Sequence, residues 1–371
     1  MWNYLFPRAD LNHYCAPELL EGDLSGRVIL ITGATSGFGK VVAEQLISQG
    51  AHIIMASRGA ELGKQVAAAL TASGPGKAEY HKLDLGSFAS VRAFADHIIS
   101  TVPRLDTIIE NAAVCCVPEG ELEGYETHLT INHYGPFLLR RLLEPLLVAS
   151  APSRVIVVAS CLHDRSPTGV SVELSLTDPA GRAGAPAYTG WMFYSRSKLA
   201  NVLSAMEAGR QLAGLGVKVV SVHPGLDTTT GLFQNTPVGA RIMTLFGRAL
   251  GVQTTWQAVQ TALHCTLVDA AELVPGGYYS QASLTYGSCF YVLFPGMQKH
   301  CLRPGFPRPP LFHSFPRLLT PSPAVCSSQW VKNGYRDGSL GGWPTKSPNP
   351  AVTPEAAETF YALSEKAVGL A

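Results

Sequence analysis

RVILITGATSGFGK, residues 27–40, is the stretch that decides the fold. Val28 to Ile31 form an unbroken apolar run, the pattern of a strand buried on both faces. Three glycines follow, Gly33, Gly37 and Gly39, in the spacing G-x-x-x-G-x-G, and a helical segment opens at once and runs to residue 48. Glycine permits a sharp turn and a close approach to the main chain. The start of a helix presents unpaired N–H groups and the positive end of its dipole. Strand, glycine turn and helix in that order make a place for the pyrophosphate of a dinucleotide, with Gly33, Ser36, Gly37, Phe38 and Gly39 as its candidate residues. The spacing differs from the G-x-G-x-x-G form, but the mechanics are the same. An ordinary glycine turn is the alternative; the setting between strand and helix favours the dinucleotide.

The same alternation extends along the chain. HIIMAS (52–57), DTIIEN (106–111), RVIVVAS (154–160) and VKVVSV (217–222) are further short, near-continuously apolar runs. Helical segments lie around them, over 38–48, 60–72, 87–101, about 123–149, 188–213 and 254–268. This predicts an α/β fold: a doubly wound, mostly parallel Rossmann sheet with helices on both faces and right-handed crossovers. It forms one domain over 27–281, behind an N-terminal extension, 1–26. Residues 282–340 break the pattern, with eight prolines and no acidic residue before Asp337. PGFPRPPLFHSFPRLLTPSP (304–323) cannot be a regular helix or a central strand, because proline fixes φ and lacks a donor. The stretch reads as a Pro-rich basic insertion, poorly ordered and outside the core. PRPP at 307–310 offers the alternative of a ligand for an SH3-type partner. Residues 341–371 then supply a connection and a capped helix, with Thr353 as N-cap and Glu355 and Glu358 in the first turns.

Composition bounds the function. Of 371 residues, 46% are apolar and 15% charged, against a usual charged share of about 25%, so a large core can be buried. A net charge of +1 leaves no electrostatic footprint for nucleic acid. The eight cysteines form no C-x-x-C pair and no zinc-ligand spacing, so no metal site is expected and reduced intracellular thiols are. No run of 18 or more apolar residues appears, so no transmembrane segment is expected. The first 26 residues lack a signal-peptide core and carry Asp10, Glu18, Glu21 and Asp23, which points to a cytoplasmic protein. A homodimer remains open.

Two further features suggest chemistry. Y-S-R-S-K at 194–198 is followed by Leu199, Val202, Leu203 and Met206 at helical spacing, so Tyr194 and Lys198 lie one turn apart on one face. A lysine ammonium at that distance would stabilise a phenolate and lower the tyrosine pKa from about 10. Taken alone, the pair is as readily a helix surface. Ser57 and Arg58 end the second strand, where a cofactor lacking a 2′-phosphate would want an acidic residue. A hydroxyl and a guanidinium suit a 2′-phosphate, so NADP(H) is expected over NAD(H). A solvated arginine in a turn is the alternative.

Together these residues resemble the short-chain dehydrogenase/reductase family, over about residues 25–281 plus the final helix. SAPSRVIVVAS, YSRSKLANVL and the ALSEK helix look most like the dehydrogenase domain of the WW-domain-containing oxidoreductase and like retinol-dehydrogenase-like members. The resemblance implies a catalytic set of Asn132 in TINHYGPF, Ser160 in RVIVVAS, Tyr194 and Lys198. It places Asp84 of KLDLGS at the adenine, Asn111 of Glu110-Asn111-Ala112-Ala113 beside the cofactor, and Tyr194 and Lys198 against the nicotinamide end as well. It places Pro224, Gly225 and Thr229 of HPGLDTTT (223–230) in the turn that meets the nicotinamide. Glu110 and Asp227 depart from the family pattern.

The reaction implied is hydride transfer between the nicotinamide C4 and a carbonyl or alcohol carbon. Tyr194 exchanges the proton, Ser160 polarises the substrate oxygen, and Asn132 orients a relay through water. The long connection from Ser160 to Tyr194, with His163, Trp191 and Phe193, is the candidate substrate wall. An apolar pocket suits a lipid, retinoid or steroid carbonyl. The competing reading is a cofactor-binding interaction protein with little or no turnover.

Overall fold

The structure, a computed structural model, describes residues 15–164, 171–182, 188–224, 232, 254–280, 344, 345, 347 and 349–371. The strands are β1 (Val28–Thr32), β2 (His52–Ser57), β3 (Lys77–Lys82), β4 (Thr107–Glu110), β5 (Ser153–Val158), β6 (Val217–His223), β7 (Tyr278–Ser280) and β8 (Pro344–Thr345). The helices are α1 (Gly37–Ser48), α2 (Ala60–Ser73), α3 (Phe88–Thr101), α4 (Gly135–Ala149), α5 (Gly190–Leu212), α6 (Thr255–Leu267) and α7 (Pro354–Ala367).

The eight strands form one sheet in the order β8-β7-β6-β5-β4-β1-β2-β3. The first seven strands are mutually parallel. β8 pairs antiparallel with β7, Pro344 opposite Tyr279 and Thr345 opposite Tyr278. The apolar runs are continuous because both faces are covered. Leu30, Ile54, Ile108 and Val155 face a core built with Val91, Phe94, Phe137, Leu203 and Phe360, which α3, α4, α5 and α7 supply. Ile29, Ile31, Ile53 and Ile109 face the opposite core, with Val42, Leu46, Leu70, Val259 and Leu263 from α1, α2 and α6. The chain leaves β1 toward β2 on one side and returns to β4 on the other. This reversal opens a crevice at the carboxyl ends of β1 and β4, the usual ligand position in such sheets.

The expected architecture is present, with differences that have physical causes. β3, KAEYHK, carries no apolar run, since it is the edge strand and pairs with β2 alone. Its one buried residue is Ala78, and Tyr80 packs beside the second core. The helix expected from about 123 is preceded by a hairpin, Glu121–Leu122 with Tyr125–Glu126, and begins at Thr127. It then widens to π geometry over Thr130–Tyr134 before α4. The reading of 282–340 as an insertion falls outside the described residues. Among the described residues, no helix is long and apolar enough to cross a membrane.

Candidate active site

The glycine turn is held from the neighbouring strand. Gly33 has φ +70 and Gly37 φ +53, values that favour glycine. A β-carbon on Gly39 would lie 2.6 Å from both Asn111 Nδ2 and Gly33 O, so the turn closes only with hydrogen there. Asn111 Nδ2 donates to Thr32 O (2.8 Å) and Gly33 O (3.1 Å), and its backbone N–H donates to Thr32 Oγ1 (3.0 Å). Asn111 thus braces the end of β1 across the crevice. Ser36 is the N-cap of α1, in extended conformation, and its side chain makes no capping bond. The first-turn N–H groups of α1 therefore point to the crevice as anion donors. Phe38 is buried in the core beneath. These features fit a dinucleotide pyrophosphate.

The residues expected at the adenosine end lie at the ends of β2 and β3. Ser57 Oγ is buried and has no hydrogen-bond partner in the protein. Arg58 is exposed beside it. Asp84 is half-buried, and its Oδ1 accepts from Gly86 N (2.9 Å). Pro224 directly follows β6. Gly225, Asp227 and Thr229 lie outside the described residues.

Ser160, Tyr194, Lys198 and Asn132 come together next to this crevice. Ser160 lies just beyond β5, accepts from Leu162 N through Oγ (3.2 Å) and is near enough to the Tyr194 phenol to pull its pKa down. α5 is capped by Thr189, whose side chain accepts from Met192 N, and one turn later it presents Tyr194. Lys198 Nζ donates to Val158 O (2.8 Å) and stands 5.6 Å from the Tyr194 ring centroid. Asn132 sits in the π segment, a feature common at functional sites because it redirects one side chain out of register. Asn132 Oδ1 accepts from Val114 N (2.7 Å), and Nδ2 donates to Val114 O (2.9 Å) and Ser197 Oγ (3.0 Å). Ser197 Oγ donates in turn to Tyr194 O (2.7 Å). Asn132 thereby ties the exit of β4 to the helix that carries the tyrosine.

The electrostatics correct one expectation. Burial holds the Tyr194 phenol well above its ordinary value; the Cys115 and Cys161 thiols add to this and the Ser160 hydroxyl opposes it. Lys198 is not among the groups that move the phenol in this structure, and desolvation dominates its shift. Burial also lowers the Lys198 ammonium to about 8, against the opposing pull of Cys115 and Glu110. His163 is not a wall residue. It is fully buried behind the serine, with Nδ1 2.6 Å from Ser160 O and Nε2 2.7 Å from Ser347 Oγ. Phe193 is packing: its ring stacks on Tyr188 at 4.8 Å and carries the Arg196 guanidinium. Trp191 packs beside Cys115, Leu162 and Tyr194 and remains a candidate wall.

Three features of the site were not foreseen. Arg140 reaches both oxygens of Glu110 (2.9 and 3.0 Å), and its other terminal nitrogen donates to Ser204 Oγ on α5 (2.5 Å). Ser197 holds Asn132. Cys115 and Cys116 stand at the edge of the tyrosine cluster. An arginine inside the apolar FLLRRLL segment was the available signal for the first. Among the described residues, no group of three or more His, Cys, Asp or Glu side chains is placed to hold a metal ion.

The comparisons agree with this geometry. The family model described as "short chain dehydrogenase" matches residues 27–172. Human retinol dehydrogenase 11 is 34% identical over 267 residues, 71% of this chain and 80% of that protein. Dehydrogenase/reductase SDR family member 13 of Bos taurus is 38% identical over 262 residues, 69% of this chain and 66% of that protein. An uncharacterized protein from Mycobacterium paratuberculosis has a solved structure that superposes with a TM-score of 0.61 at 25% identity, covering 94% of this chain and 95% of that one. A structure described as an NAD(P) dependent gluconate 5-dehydrogenase from Beutenbergia cavernae, with bound NADP, gives a TM-score of 0.55 at 25% identity and covers 70% of this chain and 96% of that one. The chain therefore belongs to the short chain dehydrogenase family and is related to the retinol dehydrogenases, an oxidoreductase of the CH–OH/C=O class that uses a nicotinamide dinucleotide.

Proposed function

We propose that this oxidoreductase uses NADP(H) and acts on the carbonyl or alcohol of an apolar substrate of the lipid, retinoid or steroid type. The observation that carries the reading is the meeting of Tyr194, Ser160 and Lys198 beside the braced glycine turn, with the apolar side chains of Leu162 and Trp191 packed against the tyrosine. When bound, the nicotinamide supplies or accepts the hydride. The backbone of residues 33–39 holds the pyrophosphate. Ser57, with its unpaired hydroxyl, and Arg58 hold the 2′-phosphate, and Asp84 meets the adenine. Lys198 would hold the ribose and Pro224 would stand at the nicotinamide end; Gly225 and Thr229, expected there from the family resemblance, lie outside the described residues.

Tyr194 donates the proton in reduction. Its raised pKa keeps it protonated, and Lys198 at about 8 stays mostly cationic at neutral pH and favours the phenolate that donation leaves. Ser160 Oγ steadies the substrate oxygen as charge develops there. Asn132 fixes the tyrosine's helix through Ser197. Glu110, the departure behind the alternative of a non-catalytic binder, is paired with Arg140 and leaves Asn111 in its bracing position. Retinol dehydrogenases 11 and 12 among the relatives support the apolar substrate class. The test is turnover of retinaldehyde, a ketosteroid and short aldehydes with NADPH and NADH. Retinaldehyde or the steroid should be reduced faster with NADPH, and Tyr194→Phe should lose about 10²- to 10⁴-fold in rate with cofactor binding intact. Absence of turnover on the whole panel, or full turnover by the variant, overturns the reading.

A further inference from the structure

Cys115 and Cys116 lie in the segment that leaves β4, and their sulfurs are 3.6 Å apart. Neighbouring side chains of an extended chain point to opposite sides, so adjacent thiols ordinarily diverge. Here Cys116 has φ +53, a left-handed conformation that a residue with a β-carbon adopts only when its surroundings hold it. The surroundings are visible. A β-carbon on Gly190 would lie 2.7 Å from Cys116 Cα, so the first residue of α5 rests directly on the Cys116 backbone. Tyr188 Oη donates to Val117 O (2.8 Å) just beyond. Cys115 is buried against Tyr194 and Leu162, and Cys116 is half-buried.

We infer that Cys115 and Cys116 form a dithiol site for a ligand that takes two sulfurs at one centre, of the trivalent arsenical class. Two thiolates bonded at about 2.3 Å to a pyramidal trivalent centre, with an angle of about 100° between the bonds, stand roughly 3.5 Å apart, close to the observed 3.6 Å. A centre that needs three or more protein ligands does not fit, since no such group is assembled among the described residues. A direct disulfide fits poorly as well. Adjacent α-carbons are about 3.8 Å apart, whereas disulfides want about 4.4–6.8 Å. A bridging atom relieves that mismatch. With phenylarsine oxide the two S–H bonds break and two As–S bonds form. Both protons leave with the oxide oxygen as water, and arsenic stays trivalent. Cys161, the third thiol of the cluster, faces Ser160 Oγ at 3.8 Å.

Binding at this pair does not depend on the proposed reaction. Loss of turnover on binding does, through Tyr194. The experiment incubates the full chain with phenylarsine oxide under native conditions and reads intact mass and a peptide map. One equivalent bridging Cys115 and Cys116 is expected, removed by dimercaptopropanol and resistant to mercaptoethanol. Cys116→Ser should lose the adduct and Cys161→Ala should keep it. The wild-type map stands even where a variant folds poorly. No adduct, an adduct mapped to any other cysteines, or an adduct retained in folded Cys116→Ser overturns the inference.

Discussion

Glu110 and Arg140 show what a single residue contributes and what a sequence hides. Each is nearly inaccessible, at 6% and 1% exposure, and a charge so placed must be paired. Burial alone raises the Glu110 pKa, and Arg140 and then Lys198 pull against it. Arg140→Met leaves a buried carboxylate uncompensated and should cost about 3–5 kcal/mol in urea unfolding. The double variant Glu110→Leu, Arg140→Met should recover most of that, because replacing a buried pair with apolar groups is often neutral. On the proposed mechanism Glu110 also bears on catalysis through Lys198, whose amine loses its proton as pH rises through about 8. Glu110 opposes that lowering, so Glu110→Gln should move the alkaline fall of kcat to lower pH. An unmoved profile would confine Glu110 to a structural role. The sequence showed Glu110 as a departure and could not show its partner, because the pair joins residues 30 apart across two elements.

At the scale of elements, burial on both faces made β1, β2, β4, β5 and β6 legible and left β3 illegible. An edge strand has one neighbour and tolerates lysine, glutamate and histidine, so periodicity carries no signal there. The glycine turn was legible as a ligand cradle, but its tightness comes from Asn111 and belongs to packing. Substitution separates the two. Gly39→Ala places a β-carbon 2.6 Å from Asn111 Nδ2 and Gly33 O. Overpacking of this kind costs about 1–3 kcal/mol, and the displaced turn should weaken NADPH binding about tenfold or more in a fluorescence titration. Gly59, the N-cap of α2, has nothing within 4 Å of its would-be β-carbon, so Gly59→Ala should change binding little. At the end of β2, Arg58→Asp should raise the ratio of NADPH to NADH dissociation constants, because a carboxylate repels the 2′-phosphate and accepts from a ribose hydroxyl. An unchanged ratio would mean that the exposed guanidinium points to solvent.

The whole molecule carries two further consequences. Burial lowers His133 to about 3, with the Arg140 charge adding, and lowers His163 to about 4, with the Ser160 carbonyl opposing. Both are neutral in the folded protein and take protons near pH 6.5 once unfolded. Stability should therefore fall as pH drops from about 6.5 toward about 4, seen as a falling urea midpoint. The second consequence concerns residues 282–340, whose role the sequence left as an insertion. Their flanks meet on the sheet: β7 ends at Ser280, and β8 begins at Pro344 as its antiparallel neighbour. Antiparallel neighbours need only a short turn, whereas parallel ones need a long crossover. Deleting 282–340 joins Gln281 to Gly341, Gly342 and Trp343, a connection within the usual hairpin range of about 2–5 residues and rich in the glycine such turns want. The returning chain should then still place Ser347 on His163 Nε2 and Asn349 Nδ2 on His163 O, both at 2.7 Å, behind the serine. Shortening a loop lowers its closure entropy, by about 0.6 kcal/mol per halving, so the melting temperature should hold or rise, with NADPH affinity unchanged. A deletion variant that unfolds, or that folds and loses NADPH binding, would show that residues 282–340 belong to the domain and that the boundary at residue 281 is misplaced.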